Sequence, residues 1–522
     1  MKDIKNVNEV VSGAFWLSVS AIILKLIGLI FKIPLSYMLG DEGMGYFNSA
    51  YTIYTAFYII GSAGIPKAIS ILTVRADSNK EDSSAIFKVS FRCFCIIGAI
   101  LTAVLLIFAS QLSQIIGNSK SAYSLLVIAP SVFFVCASGV LRGALNGKMR
   151  FIPIAVSEII AGAFKLCLGL LMAKYALIQA YSIEVVSAFA ILGITVGSLF
   201  CSLYLFLSYS KIKNDKICTQ YSYKKILKRV FEISIPITMV SAISSILNLL
   251  DLAVIMNGLK KLGYSESVSS VLYGNYTTLA IPMFSLVVTL VTPFSTAALP
   301  MMTKFYHDGD SDSLGNLINR TLSMTYFFTI PAFFAFLFFS EEILTIIFEK
   351  SSVILGYQLL SILAASVLFV GPLTVINTAL ESMGKVKITL LALSVGGVLK
   401  LILTLILINK FDAGIISAPI GTSISYAISF LVSGFIILNI KNIKISLIKT
   451  ALVPFFASFM SVLVIVALRE KFFGHFASFF NSFVIVTFFG IFYLFLSAFL
   501  HKIFAIKANK MAKCTKNTKN NY

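Results

Sequence analysis

Residues 23–35 read ILKLIGLIFKIPL and place Lys25 and Lys32 inside an apolar run long enough to cross a bilayer. Seven residues are about two helical turns, so both ammonium groups leave the helix on nearly one face. A charge at the bilayer centre costs at least about 2.5 kcal/mol on insertion scales, so such residues face a partner or a wet cavity. The fold therefore turns on whether the rest of the chain is membrane-spanning and where other charges enter it.

Of 522 residues, 58% are hydrophobic and 12% charged, with a mean hydropathy of +0.93. Soluble domains carry about 25% charged residues. Apolar runs of this length indicate an all-α polytopic membrane protein and not the weak alternating strands of an outer-membrane barrel. The seven Cys are scattered and mostly apolar in setting, which reads as packing; Cys93 and Cys95 form a lone C-x-C. His307, His475 and His501 are far apart, so neither a metal nor another cofactor is expected. No G-x-x-x-x-G-K-[ST] stretch occurs, which removes the usual nucleotide-hydrolysing motif. The first apolar run is too long for a signal-peptide core and reads as a retained span.

Fourteen apolar segments can be placed, near 13–39, 46–73, 88–110, 122–141, 152–173, 186–209, 231–256, 270–299, 321–340, 353–380, 388–409, 414–438, 448–468 and 477–500. An even number puts both termini on one side. With the N-terminus inside, the cytoplasmic segments hold 29 Lys and Arg and the opposite side holds 8, alternating loop by loop. The net charge of +20 then reflects topology and attraction to anionic lipid headgroups at the cytoplasmic face, and nucleic acid is not expected as a partner.

Two stretches resemble each other. ALNGKMRFIPIAVSEIIAGAFKL (Ala144 to Leu166) and ALESMGKVKITLLALSVGGVLKL (Ala379 to Leu401) both open with Ala-Leu, both contain Gly-Lys-x-basic and both end in Gly-x-x-Lys-Leu. Aligning the Gly-Lys pairs places two extra residues in the second loop and two fewer in its helix entry. The implied architecture has two six-helix halves, 1–210 and 231–440, related by a pseudo-two-fold axis. A basic linker at 211–230 joins them, two further helices lie within 441–501, and a polar basic tail, expected to be disordered, fills 502–522. Parallel repeats of this kind place a substrate site between the halves.

Five basic residues fall inside spans: Lys25, Lys32, Lys67, Lys165 and Lys400. Lys165 and Lys400 are the repeat-related pair. The intramembrane acids are chiefly Glu158 and Asp251, candidates for ion coupling or charge balance, and Glu158 sits one heptad before Lys165 on the same face. Lys32 and Lys67 have an alternative as residues that snorkel to headgroups. As a group the lysines suggest a cationic chamber suited to phosphate.

At this point KLIGLIFKIPLSYMLGDEGMGYFNSAY, AGIPKAIS, LRGALNGKMRFIPIAVS and TPFSTAALP together resemble the polysaccharide-biosynthesis branch of the multidrug/oligosaccharidyl-lipid/polysaccharide flippase superfamily. The likeness is to the stage V sporulation protein B group and the related lipid II flippases. Its strongest parts are a G-x-x-G-M-G turn (Gly43, Gly45), G-I-P-x-A-I-S (Pro66) and an L-R-G…G turn (Arg142, Gly143). The resemblance implies movement of undecaprenyl-pyrophosphate-linked saccharide from the inner to the outer leaflet of a bacterial cytoplasmic membrane. It implies that first-span basic residues, matched by Lys25 and Lys32, line a cavity. Lys165 and Lys400 also match basic positions, whereas Lys67 matches none that is characteristic. Segments 448–468 and 477–500 would form a lipid-tail groove. The chain departs from the lipid II flippases in using Lys where they use Arg.

The expected function is thus a non-enzymatic flippase working by alternating access, with lipid-linked oligosaccharide as substrate and cell-wall synthesis enzymes as further partners. The alternatives are a cation-coupled multidrug exporter of the same superfamily, against which the intramembrane lysines argue, and a non-transporting scaffold for cell-wall assembly.

Overall fold

The computed structural model describes residues 2–78, 83–212, 223–348, 350–440, 443–472 and 478–519; at some of these, Lys25 among them, only the backbone is described. Most of the expected linker, 213–222, lies outside the described residues. Met1–Thr278 with Ile408–Gly414 form one compact unit, and Leu279–Leu407 with Ile415–Tyr522 a second. The first contains α1 (Lys2–Ser62), α2 (Ile65–Ser78), α3 (Ser83–Ile116), α4 (Ala122–Ile128), α5 (Pro130–Gly147), α6 (Phe151–Ile178), α7 (Ile183–Ser210), α8 (Tyr223–Lys261) and α9 (Glu266–Asn275). A π-helical turn, Tyr276–Ala280, leads into α10 (Ile281–His307). Then follow α11 (Ser311–Phe338), α12 (Ser340–Ile347), α13 (Lys350–Ser382), α14 (Val386–Phe411), α15 (Ser417–Leu438), α16 (Leu447–Phe472) and α17 (Ser478–Lys519).

The protein is an all-α, multi-pass membrane protein. Among the described residues eleven helices are long and apolar enough to span a membrane, or twelve if α4 and α5, bent by 41°, make one span. These match the third to fourteenth expected segments. The first two expected segments lie on α1 and α2 and are not among the twelve, so a count of fourteen exceeds what helix length and composition establish.

The glycine-rich turns expected from the sequence are mostly helix. Gly40 alone breaks α1, with φ 61° and ψ −177°, a backbone region open only to glycine. Gly43 and Gly45 continue as helix and are small because neighbours are close. A Cβ on Gly45 would overlap the Ser270 carbonyl of α9, and one on Gly43 would lie 2.9 Å from Ile183. Likewise Arg142 and Gly143 lie within α5. Gly139, Gly143 and Gly147 form a stripe four residues apart, and a Cβ on Gly143 would lie 2.7 Å from the Pro66 carbonyl oxygen of α2. Lipid supplies no hydrophobic drive between helices, so close backbone approach at small residues is what holds such pairs.

The repeat is visible in the turns, but in a register two residues from the Gly-Lys alignment. After α5, Met149 N–H bonds to the Asn146 carbonyl and Arg150 N–H to that of Leu145, at 2.9 Å each. After α13, Gly384 N–H bonds to Glu381 and Lys385 N–H to Leu380, also at 2.9 Å each. Both are Schellman caps, with positive φ at Met149 (56°) and Gly384 (73°). Met149 and Gly384, Gly162 and Gly397, and Lys165 and Lys400 are each 235 positions apart, so no insertion is needed. The matching backbone position is Met149, not Gly147, because the left-handed cap residue fixes the register.

The helices after each turn pack alike. A Cβ on Gly193 of α7 would lie 2.6 Å from the Gly169 nitrogen and 3.0 Å from the Lys165 carbonyl oxygen. One on Gly421 of α15 would lie 2.7 Å from Thr404 Oγ1 and 3.4 Å from the Lys400 carbonyl oxygen. In the second unit α16 and α17 add Val462, Ile465, Ile485 and Phe489 to a core with Leu322, Tyr326 and Phe334 of α11. The tail expected to be disordered continues α17 through Lys519. No Gly or Pro follows Gly490, and Ala, Lys and Met propagate helix well.

Candidate functional site

The first unit encloses a cavity of about 450 Å³ between α1, α5, α6 and α7. Its polar lining includes Tyr51, Tyr54 and Tyr58 from α1, Arg142 from α5, and Glu158 and Lys165 from α6. The tyrosines follow helical spacing, so they share a face. Their ring centroids are 5.9 Å apart (Tyr51–Tyr54) and 5.8 Å apart (Tyr54–Tyr58). Phe47 continues the ladder, stacked on Tyr51 at 6.2 Å.

Lys165 and Glu158, which the heptad spacing pairs, have different partners. Glu158 Oε1 lies 3.5 Å from Arg142 Nη1, and Ser20 Oγ donates to Glu158 Oε2 at 3.3 Å. Arg142 Nη2 donates to Cys201 Sγ at 3.5 Å. Lys165 Nζ sits 5.2 Å from the centroid of Phe31 and 5.4 Å from that of Tyr51, over both ring faces. Ring quadrupoles stabilise such a cation by about 0.5–2 kcal/mol, more as water is excluded. Glu158 turns to Arg142 for a simple reason. Arg142 comes from another helix with a fork that fits a carboxylate, whereas same-helix spacing says nothing of what the next helix offers.

Lys32 does not line this cavity. Its Nζ donates to the Thr277 carbonyl at 3.1 Å, in the π-helical turn. That turn precedes Pro282, which has no N–H, so a nearby carbonyl loses its helical donor and the lysine supplies one. The Lys25 side chain lies outside the described residues; its backbone is on α1. Lys67 is exposed in the first turn of α2, although its neighbour Pro66 lines the cavity. Asp251 is buried on α8 away from the cavity lining. Lys400 is half-buried on α14 in the second unit. At the position 235 after Glu158 stands Leu393, and 235 after Arg142 stands Asn377.

Sequence reasoning missed the tyrosine ladder and gave Arg142 to a turn. Both had a signal: tyrosines spaced by three and four beside span lysines, and a Gly-x-x-x-Gly-x-x-x-Gly stripe that reads as helix packing and carries Arg142 into the span. The cavity holds two cations against one carboxylate and has aromatic faces with hydroxyl edges. Its volume is that of a small-molecule site, for which about 300–1,000 Å³ is usual.

Fold and cavity together define a multi-pass membrane protein with a polar, aromatic-lined chamber inside one helical unit. The chain belongs to the polysaccharide biosynthesis protein family, whose model matches residues 10–306, while a MatE model matches residues 236–406. This places it in the multidrug/oligosaccharidyl-lipid/polysaccharide flippase superfamily, in the branch of stage V sporulation protein B. It is 23% identical to the lipid II flippase MurJ of Bacillus subtilis over 483 residues, 88% of either chain. It is 21% identical to stage V sporulation protein B of the same organism over 417 residues, 78% of this chain and 80% of that one. The fold matches the inward closed conformation of a lipid II flippase MurJ with a TM-score of 0.72 at 18% identity, covering 94% of this chain and 99% of the other.

Proposed function

We propose that the chain is a flippase for lipid-linked saccharide, and that the cavity in its first unit receives the charged, sugar-bearing headgroup. The observation that carries this is the meeting of Lys165 and Arg142 with the ladder Tyr51–Tyr54–Tyr58 in one chamber. Cations suit the phosphate, and tyrosine faces and hydroxyls suit sugar rings. Names of relatives support it: one is a lipid II flippase, and a probable low-salt glycan biosynthesis flippase of Haloferax volcanii matches 145 residues at 28% identity.

In the finer form of the proposal the carrier is undecaprenyl pyrophosphate and the cavity alternates between the two faces of a bacterial cytoplasmic membrane, both termini being cytoplasmic. The two six-helix halves of the duplication supply the moving frame. The isoprenoid stays in lipid, beside α16 and α17. An inside-negative potential favours outward movement of an anion by about 2.3 kcal/mol per charge per 100 mV. Glu158 balances the empty cavity and Arg142 exchanges it for phosphate. A cation exporter is the second reading, favoured by Glu158 and the tyrosines, but it leaves Lys165 and Arg142 facing a like charge.

The test is transport in proteoliposomes. Fluorescent undecaprenyl-pyrophosphate saccharide is incorporated and its exposure to an external quencher is followed for the native chain, Lys165→Gln with Arg142→Gln, and Lys67→Gln. Protein-dependent exposure that is lost in the double variant and kept in Lys67→Gln is the expected result. Equal transport by all three removes the cavity from the mechanism. Failure of the native chain on every lipid-linked saccharide, with uptake of a lipophilic cation, selects the exporter.

A further inference from the structure

We propose, on the basis of the flippase reading, a narrower substrate class: the sugar joined to the phosphate carries no free carboxylate, and Glu158 is the residue that rejects one. Among the described residues that line the cavity, Arg142 and Lys165 are the side chains that only donate hydrogen bonds. Phosphate oxygens accept them, so a bound phosphate takes these two first.

What then faces the saccharide is a wall of acceptors. Thr55 Oγ1 donates to the Tyr51 carbonyl at 2.7 Å, Ser138 Oγ to that of Val135 at 3.0 Å, and Ser198 Oγ to that of Thr195 at 2.7 Å. All three line the cavity. A hydroxyl has one hydrogen, so once it is given to the backbone of its own helix only lone pairs remain for a ligand. Glu158 adds a carboxylate to the same wall. Its contacts are long, 3.5 Å to Arg142 and 3.3 Å to Ser20. Charged pairs usually close to about 2.7–2.9 Å. Arg142 is thus held loosely enough to turn to a phosphate, which leaves the Glu158 oxygens facing the sugar.

Hydroxyls and amide N–H groups of a neutral sugar bring the hydrogens that this wall lacks. A uronic or other acidic sugar brings two more acceptor oxygens and a like charge. Its carboxylate reaches Arg142 and Lys165 only in competition with the phosphate. The tyrosine faces serve both kinds of sugar, so selection falls to the polar wall. Like charges brought together in a binding site cost enough to reject a ligand by about 100-fold.

The experiment compares probes that differ at one carbon: fluorescent undecaprenyl pyrophosphate bearing glucose, glucuronate or glucuronamide. Each is incorporated into proteoliposomes at about pH 7 with no membrane potential imposed. The lipid concentration for half-maximal flipping is measured for the native chain and for Glu158→Gln. The native chain is expected to need about 100-fold more of the glucuronate lipid than of the glucose lipid, and to handle the neutral glucuronamide lipid like the glucose one. Glu158→Gln is expected to narrow the ratio to about fivefold by flipping the glucuronate lipid better than the native chain does, a gain that misfolding cannot imitate. The glucuronamide comparison needs no variant: rejection of the amide as strong as that of the acid would assign selection to shape and overturn the inference. Equal handling of glucose and glucuronate lipids by the native chain, or a ratio unchanged in Glu158→Gln, overturns it too and leaves the flippase reading standing. A native chain that flips none of the three lipids overturns both.

Discussion

Arg142 and Glu158 meet at 3.5 Å across α5 and α6, each with a side chain 24% exposed, and the two offset each other's charge in the cavity, leaving that of Lys165. Removing one member strands the other in a poorly hydrated place. Arg142→Asn and Glu158→Leu introduce the residues found 235 positions later. Each alone is expected to lower the melting temperature of the detergent-solubilised chain. The double variant should lose less than the sum, with a coupling of about 0.5–3 kcal/mol. Additive losses would show that the two groups do not sense each other.

Lys165 carries a different expectation, because its charge rests on Phe31 and Tyr51 and not on a carboxylate. Lys165→Gln should leave the melting temperature nearly unchanged. It should raise the substrate concentration for half-maximal flipping about 10- to 100-fold, the equivalent of one charge-assisted contact of about 1.5–3 kcal/mol. Lys165→Arg keeps the charge and stacks on rings, so it should retain most activity. Equal loss in both variants would point to shape and not charge.

The lysine at 32 is predicted to act on structure. Without it the Thr277 carbonyl in the π-helical turn lacks its donor, at a cost of about 1–3 kcal/mol. Lys32→Met should therefore destabilise the chain more than Lys32→Gln, whose amide can still donate. Melting curves of the two variants, measured side by side, decide it; identical curves would remove the bond from the account.

Two glycines five residues apart, Gly40 and Gly45, should fail for different reasons. Gly40→Ala meets nothing within 4 Å but forces a side chain onto a glycine-only backbone, costing about 1–3 kcal/mol. Gly45→Ala drives a methyl into the Ser270 carbonyl and pushes α9 off α1. A cysteine cross-link placed between α1 and α9 should form in native and Gly40→Ala chains and form poorly in Gly45→Ala. Equal cross-linking in all three would contradict the contact.

The helical architecture was legible because twenty-residue apolar runs admit few other readings. Lys165 and Lys400 were legible as a pair because each closes a Gly-x-x-Lys-Leu run at the same distance from its Ala-Leu start. What escaped were relations between helices. The partner of Glu158 depends on which face α5 turns to α6, and no period within one helix encodes that. Glycines misled most: a G-rich segment reads as a turn in water, but between membrane helices the same residues mark contact, which hid Arg142. The two-residue error in the repeat arose because Gly-Lys looked like the matching feature, while the backbone matched a left-handed Met149 to Gly384.

The constant offset of 235 also separates what the two segments share from what they do not. The cap and the lysine recur at that offset, and a glycine of the next helix, Gly193 or Gly421, approaches each lysine's carbonyl, whereas Arg142 and Glu158 stand opposite Asn377 and Leu393. The two segments share a backbone skeleton and differ in their ionic chemistry. Likeness within this chain is therefore carried by turns and crossings, and difference by charges.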